Sequence, residues 1–68
     1  MLRRPERQTE ERLLATKAMV ASFIDFELAT GLEQWNSLLQ IRPTAAYYTN
    51  RGVVLGMLGR HAEEYASD

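Results

Sequence analysis

The residues of this sequence that could take part in acid–base chemistry lie near its C-terminus. His61, the single histidine, is followed by Glu63 and Glu64, and a histidine beside a carboxylate can exchange protons near neutral pH. The residues around them are not those of a substrate pocket, and a solvated turn accounts for the same pattern. We therefore expect no catalytic residues and no enzyme activity.

Metal and phosphate chemistry lack the residues they need. The chain has no cysteine, so neither a disulfide framework nor a thiolate metal site can form. Asp25, Glu27 and Glu33 are not spaced to collect a metal ion. The glycines between Gly52 and Gly59 follow no strand pattern and precede no Gly-Lys-Ser/Thr, so they do not form a phosphate loop. We expect neither a metal nor a cofactor.

The charge of the chain argues against nucleic acid as a partner. Eight basic residues against nine acidic ones give a net charge of −1, whereas phosphate binding needs a concentrated basic face. Arg3, Arg4 and Arg7 are interspersed with glutamates and are typical of a solvated helix start. No segment approaches the ~20 apolar residues that span a bilayer, and the N-terminus lacks the apolar stretch of a secretory signal. We expect no membrane partner and a cytoplasmic location.

Helix-forming residues without breakers predict a first helix over about residues 5–28. Its apolar residues fall on two stripes, which indicates burial between neighbouring helices. Glu11 is expected on the exposed surface, and Lys17 within the first stripe as a side chain whose stem packs while its charge stays in water. The first stripe contains Leu13, Leu14, Ala21, Ile24 and Leu28, and the second contains Ala15, Met19, Phe23 and Phe26.

Two further helices and a short stub complete an all-α, antiparallel array. Thr30-Gly31 is read as a break, so the second helix is expected over 31–41, ended by Pro43. Thr44 is expected to cap a third helix over 44–58 through its hydroxyl. Gly59 is the predicted C-cap of that helix, and residues 61–66 are predicted to be the stub.

The third predicted helix has a stripe of very small residues beside its apolar face. Each glycine in a helix costs about 1 kcal/mol relative to alanine, so the stripe predicts a neighbouring helix that approaches the backbone closely. The apolar face contains Tyr47, Val54, Leu55 and Leu58 with Tyr48 at its edge, and the stripe contains Ala45, Gly52, Gly56 and Gly59.

These spacings resemble the tetratricopeptide repeat, a pair of antiparallel helices with a period of about 34 residues. The resemblance rests on Tyr48-x₂-Arg51-Gly52-x₂-Leu55 and, before it, on Gly31-x₃-Trp35 followed by Pro43. Asn50-Arg51-Gly52 with Leu58-Gly59-Arg60 is similar to bacterial arrays, some of which precede O-linked N-acetylglucosamine transferase-like domains. The resemblance implies that Gly52 lets a helix pack closely and that Trp35 fills the space between repeats.

The resemblance also implies that the 68 residues are one module, holding a degenerate repeat and half of a second. Met19 stands where the equivalent of Gly52 falls, and the pattern is lost after Arg60. Because a solenoid needs about three repeats to bury a continuous core, we expect either a fragment of a longer array or a homo-oligomer. The face to be covered in that oligomer is the uncovered face of the third helix, around Tyr47, Val54 and Leu58.

The function implied by the resemblance is binding of a peptide segment or partner helix in a groove lined by the first helices of the repeats. The residues expected in this groove are Lys17, Val20, Ile24, Thr49, Asn50, Val53 and Met57. Asn50 suits contact with a peptide backbone because an amide both donates and accepts. Two alternatives stay open: a substrate-binding segment of a glycosyltransferase-like enzyme whose catalytic domain is absent, and a small self-associating helical protein.

Overall fold

Three α-helices make up the computed structural model, which describes the backbone of residues 5–66 and the side chains of residues 6–63. They are α1 (Pro5–Phe23), α2 (Leu28–Ile41) and α3 (Ala45–Ala66), with no strand in the described range. α2 packs against both α1 and α3. The short connections make consecutive helices antiparallel. The all-α class is confirmed.

The first turn comes earlier than predicted. α1 ends at Phe23 rather than near residue 28, and Leu28 begins α2 three residues before the predicted start at Gly31. The turn is held by backbone hydrogen bonds, in which Asp25 N donates to Val20 O at 2.9 Å and Glu27 N to Ala21 O at 2.7 Å. Gly31 is therefore not a breaker, because it lies inside α2 and packs against α1.

The second turn and the start of α3 are as predicted, but the end of α3 is not. The Tyr47 amide donates to the Thr44 hydroxyl at 3.2 Å, which confirms the predicted N-cap. α3 then runs through Gly59 to Ala66 without interruption. The predicted C-cap at Gly59 and the separate stub over 61–66 are wrong, since no glycine has the positive φ that such a cap uses.

The core is centred on Trp35, which is 1% exposed. Its ring lies between those of Phe23 and Tyr47, with centroids 6.5 and 6.1 Å away. The indole Nε1–H donates to the buried Ser22 hydroxyl at 3.0 Å. One residue of α2 thus contacts both α1 and α3. The buried apolar residues around it are Ala18, Leu28, Leu38 and Val54.

The close helix contact lies at Gly31, not at Gly52. A Cβ added to Gly31 would collide with the Ser22 hydroxyl and lie 3.3 Å from the Ser22 Cβ. At Gly52, no described atom lies within 4 Å of the corresponding position. The prediction that a helix of this chain packs closely on Gly52 is wrong, because the inward face of α3 is rotated away from it.

The inward face of α3 consists of Val54, which is fully buried, and of half-buried Tyr47 and Leu58. The prediction that this face is uncovered is wrong, because it packs in the core against α2. These three residues follow the buried residues Glu11, Ala18 and Ser22 of α1 at a constant distance of 36 residues. The repeat alignment that pairs Gly52 with Met19 uses a spacing of 33 residues, and this spacing does not match the packed positions. Tyr48 and Leu55, which were expected with the packed residues, are consequently 54% and 44% exposed.

We expect Trp35→Ala to unfold the chain. Deletion of a buried aromatic side chain typically costs about 3–5 kcal/mol, and a core of this size supplies no more than about that amount. Circular dichroism with urea titration would measure the loss. Retention of the helical signal and the unfolding midpoint would contradict the central position of Trp35.

The same substitution at two glycines should have opposite effects on stability. Gly31→Ala forces the Ser22 hydroxyl away from the Trp35 indole and should lower the free energy of unfolding by about 1–3 kcal/mol. Gly52→Ala meets open space and should raise it by about 1 kcal/mol, through helix propensity alone. Urea denaturation of both variants gives the comparison. Equal changes of the same sign would mean that the two environments do not differ as described.

Candidate functional site

The acid–base residues do not assemble into a site. His61 and Glu63 lie on exposed turns of α3, and residues two apart on a helix do not face each other. The side chain of Glu64 lies outside the described residues, as do Arg3, Arg4 and Asp68. Among the side chains that the structure describes, no group of three His, Cys, Asp or Glu residues could hold a metal ion.

The residues predicted to bind a partner differ in how accessible they are. Lys17 on α1 is exposed, and Val53 on α3 is 47% exposed. Asn50 is half-buried, and Met57 packs partly against the core. Of the residues carrying the repeat pattern, Gly31 and Trp35 are buried, Pro43 is exposed in the second turn, and the α3 residues Tyr48, Gly52 and Leu55 are exposed.

α1 carries an exposed apolar stripe on the side away from the core. Leu13 is 55% exposed, Val20 36% and Ile24 68%. Together with Lys17 they recur at spacings of four, three and four residues. Ile24 directly follows α1, and its N–H donates to Val20 O at 3.1 Å, so it continues the same helix face. We call Leu13, Lys17, Val20 and Ile24 the outer face of α1. It contains one cation among three large apolar side chains.

The turn after α1 extends this face with a residue in an unusual backbone conformation. Phe26 has φ of 55° and is 59% exposed. Positive φ is rare for a bulky side chain and is strained. Ile24 and Phe26 thus place two large, exposed apolar side chains at this end of α1.

The two-stripe prediction for the first helix was wrong for part of each stripe. Leu13, Ile24 and Phe26 were expected to be buried but are more than half exposed. Met19 was also expected to be buried and is 50% exposed. α1 packs mainly on α2 and buries a single face. Periodicity alone could not decide which stripe that would be, because both contain large apolar residues.

A buried carboxylate of α1 joins α3 and the turn that follows α2. Glu11 on α1 is 4% exposed. Its Oε2 accepts hydrogen bonds from Arg42 Nε at 3.1 Å and from the Tyr47 hydroxyl at 2.5 Å, and it forms an ion pair with Arg42 Nη2 at 3.0 Å. We call Glu11, Arg42 and Tyr47 the Glu11 cluster. The sequence placed Glu11 at the surface, and its partners are 31 and 36 residues away, so no local signal identified them.

Beside this cluster lies an open polar cleft of about 230 Å³, lined by Gln8, Glu11, Arg12 and Arg42. The Arg42 side chain remains 54% exposed while it pairs with Glu11. The ion pair satisfies the carboxylate and leaves the cleft with one further cation, Arg12. All residues that line the cleft are polar or charged, whereas a small-molecule pocket is lined mostly by apolar residues.

We expect the chain to lose stability at alkaline pH through Tyr47. Burial, with the hydrogen bond to Glu11, raises the pKa of this phenol above its usual 10.0. The folded state therefore holds the phenolic proton more tightly than the unfolded state. The contribution is present below about pH 10 and is lost as the pH rises through the folded-state pKa.

Urea unfolding measured from about pH 8 to pH 11 would show this decline. In Tyr47→Phe the decline should be smaller, and the variant should be about 1.5–3 kcal/mol less stable near neutral pH because a hydrogen bond to a charged group is lost. An unchanged alkaline limb in Tyr47→Phe would contradict the assignment.

No helix in the described part of the chain combines the length and apolar character needed to cross a membrane. Comparison of the chain with protein-family models, with curated proteins and with solved structures finds no match in any of the three.

Proposed function

We propose that this chain is a non-catalytic protein–protein interaction module that binds an amphipathic helix or a peptide segment along the outer face of α1. The observation that carries the proposal is the exposure of three large apolar residues at helical spacing, on the side of α1 away from the core. Contiguous apolar surface of this kind on a folded domain is typical of a partner-binding site.

The chemistry of the face defines the partner. Leu13, Val20 and Ile24 would receive the apolar side of a helix, which presents residues at the same three- and four-residue spacing. Lys17 lies in the middle of the face, where its ammonium group would pair with an acidic residue of the partner. Its aliphatic stem would cover apolar surface. The preferred partner is therefore an amphipathic segment with a central Asp or Glu.

Phe26 would provide an anchor at one end of the face. Aromatic residues dominate binding energy when they fill a partner's pocket. The turn fixes the backbone of Phe26, and the described part of the chain leaves its side chain 59% exposed.

The α3 residues first predicted for this role would contribute less. Thr49 and Val53 are exposed but lie on another helix, whereas Met57 already packs against the core and Asn50 is half-buried. Of the predicted set we retain the exposed residues Lys17, Val20 and Ile24, and we add Leu13 and Phe26 on the strength of their exposure.

We further propose that the module is of tetratricopeptide type. Two observations support this: Gly31 and Trp35 are buried, and three buried residues of α1 are followed after 36 residues by the packed residues of α3, close to the family period of about 34. A glycosyltransferase-like parent, with this chain as its substrate-binding segment, is the second candidate. It rests on the sequence similarity alone, and the reading frame beyond Asp68 would test it.

The binding proposal can be tested with selected peptides. A displayed library of amphipathic helical peptides would be selected on the chain, and the affinity of the best peptide measured by titration calorimetry. Ile24→Ser should weaken binding about tenfold, since an apolar side chain loses its burial. Lys17→Glu should weaken it more at low salt than at high salt, because a partly exposed charge is screened.

The matched control is Ile41→Ser, which changes the same residue type at a 49% exposed position at the end of α2. It should leave the affinity unchanged. Selected peptides that bind Ile24→Ser, Lys17→Glu and the wild type equally well would exclude the outer face of α1 as the binding surface.

A further inference from the structure

The outer face of α1 repeats the face through which α3 packs on α2. Both faces carry a large residue, then a cation, then two branched aliphatic residues, at the same spacings of four, three and four. Each member of one face lies 34 residues from its counterpart in the other. The four pairs are Leu13 and Tyr47, Lys17 and Arg51, Val20 and Val54, and Ile24 and Leu58.

The match is specific to this spacing. At spacings of 33 and 35 residues, Lys17 would correspond to Asn50 and to Gly52, so only 34 of these three pairs a cation with a cation. The two packed faces, in contrast, lie 36 residues apart. Two residues turn a helix by about 200°. The spacing of 34 therefore compares the inward face of α3 with the opposite, exposed side of α1.

The structure shows what the α3 version of this surface binds. α2 packs there, with the Trp35 ring centroid 6.1 Å from that of Tyr47 and with Leu38 fully buried in the same cluster. The contact is thus made by an aromatic residue and a leucine three positions later on one helix. Val54 is 0% exposed in this contact, whereas its counterpart Val20 is 36% exposed.

The cation on α3 shows what α2 does not supply. Arg51 Nε and Gln34 Oε1 are both buried, and neither has a hydrogen-bond partner among the described residues. Gln34 lies seven residues before the end of α2 and Arg51 six residues after the start of α3, so they are at about the same level of two antiparallel helices. A carboxylate in place of the amide would bring the charge that a buried cation favours.

We propose that the outer face of α1 binds a helix patterned like α2, antiparallel to α1, with an aromatic residue over Leu13 and a carboxylate beside it that pairs with Lys17. The proposal rests on the proposed function and names the class of partner. Its pattern is Glu-aromatic-x₂-Leu, in which the acidic residue takes the place of Gln34 and the other two take the places of Trp35 and Leu38.

A labelled peptide tests the proposal by fluorescence anisotropy with the full 68-residue chain. The probe has the sequence of residues 27–43 with Gln34→Glu. It should bind at least tenfold more tightly than a scrambled peptide of the same composition, and the unchanged sequence should lie between the two. Trp35→Ala in the probe should weaken binding about tenfold, because an aromatic anchor dominates such contacts.

Variants of the chain locate the contact. Ile24→Ser should weaken binding of the probe about tenfold, and Lys17→Ala should remove the advantage of the Gln34→Glu peptide over the unchanged one. Met19→Ser is the matched control. Met19 is an apolar residue of α1 that is 50% exposed and lies about 130° around the helix from the centre of the outer face. It should leave the affinity unchanged.

A grafted chain tests the equivalence of the two faces directly. Leu13→Tyr, Lys17→Arg and Ile24→Leu in one chain make the outer face of α1 identical to the inward face of α3 at all four positions. This variant should bind the probe at least as tightly as the wild type. Loss of binding, with the helical circular dichroism signal intact, would overturn the equivalence.

Two further results would overturn the proposal. One is equal binding of the probe and the scrambled peptide. The other is an affinity that Ile24→Ser does not change, since a peptide exchanging with α2 inside the chain would behave in that way. Library-selected peptides that still require Ile24 would then leave the proposed function standing, and their failure as well would remove it.

The remaining occupants are distinguished by two measurements. The probe should gain helical circular dichroism signal on binding, and binding without that gain would show an extended segment and overturn the helical partner. In sedimentation equilibrium the chain alone should be monomeric. A dimer that Ile24→Ser dissociates would show that a second copy occupies the face, which would also overturn the proposal.

Discussion

The fold depends on the burial of one indole ring whose single polar atom is satisfied. Trp35 projects from the middle helix between Phe23 of α1 and Tyr47 of α3, and its N–H donates to Ser22. The serine can reach the indole because Gly31, one turn earlier on α2, leaves room for it. The apolar contact and the hydrogen bond thus require each other. A larger residue at position 31 would leave the indole nitrogen buried without a partner, which is costly in a core this small.

The Glu11 cluster fixes the opposite end of the same core. Trp35 determines how far α1 and α3 lie from α2, whereas Glu11, Arg42 and Tyr47 determine their register along the helix axes. Apolar contacts tolerate sliding, but a buried carboxylate must meet both of its donors or remain uncompensated. Tyr47 belongs to both groups, since its ring packs on Trp35 and its hydroxyl binds Glu11. The start of α3 is consequently held to the rest of the chain by both groups of contacts.

This arrangement leaves α1 and α3 each with one packed face and one exposed apolar face. α2 lies between them and is covered on both sides, so the two outer helices present the surfaces that the chain cannot bury by itself. The outer face of α1 combines large apolar side chains with one lysine, which suits a partner that brings its own acidic residue. The exposed side of α3 carries Tyr48 and Leu55 beside glycines and offers fewer large apolar side chains than α1.

The sequence by itself determined the all-α class, the ends of the second turn, the Thr44 cap and the burial of Trp35. All of these follow from propensity, proline and a clean apolar period within about fifteen residues. The tertiary structure decided the rest. It placed the close helix contact at Gly31 instead of Gly52, buried Glu11, and left Leu13, Ile24, Phe26 and Leu55 exposed. These features depend on which of two apolar stripes finds a neighbour and on partners more than thirty residues away. Residue spacing within one helix carries no information about the rotation of the next helix against it. The resemblance named Lys17, Val20 and Ile24 for the groove, and only the structure showed that Leu13 and Phe26 are exposed as well.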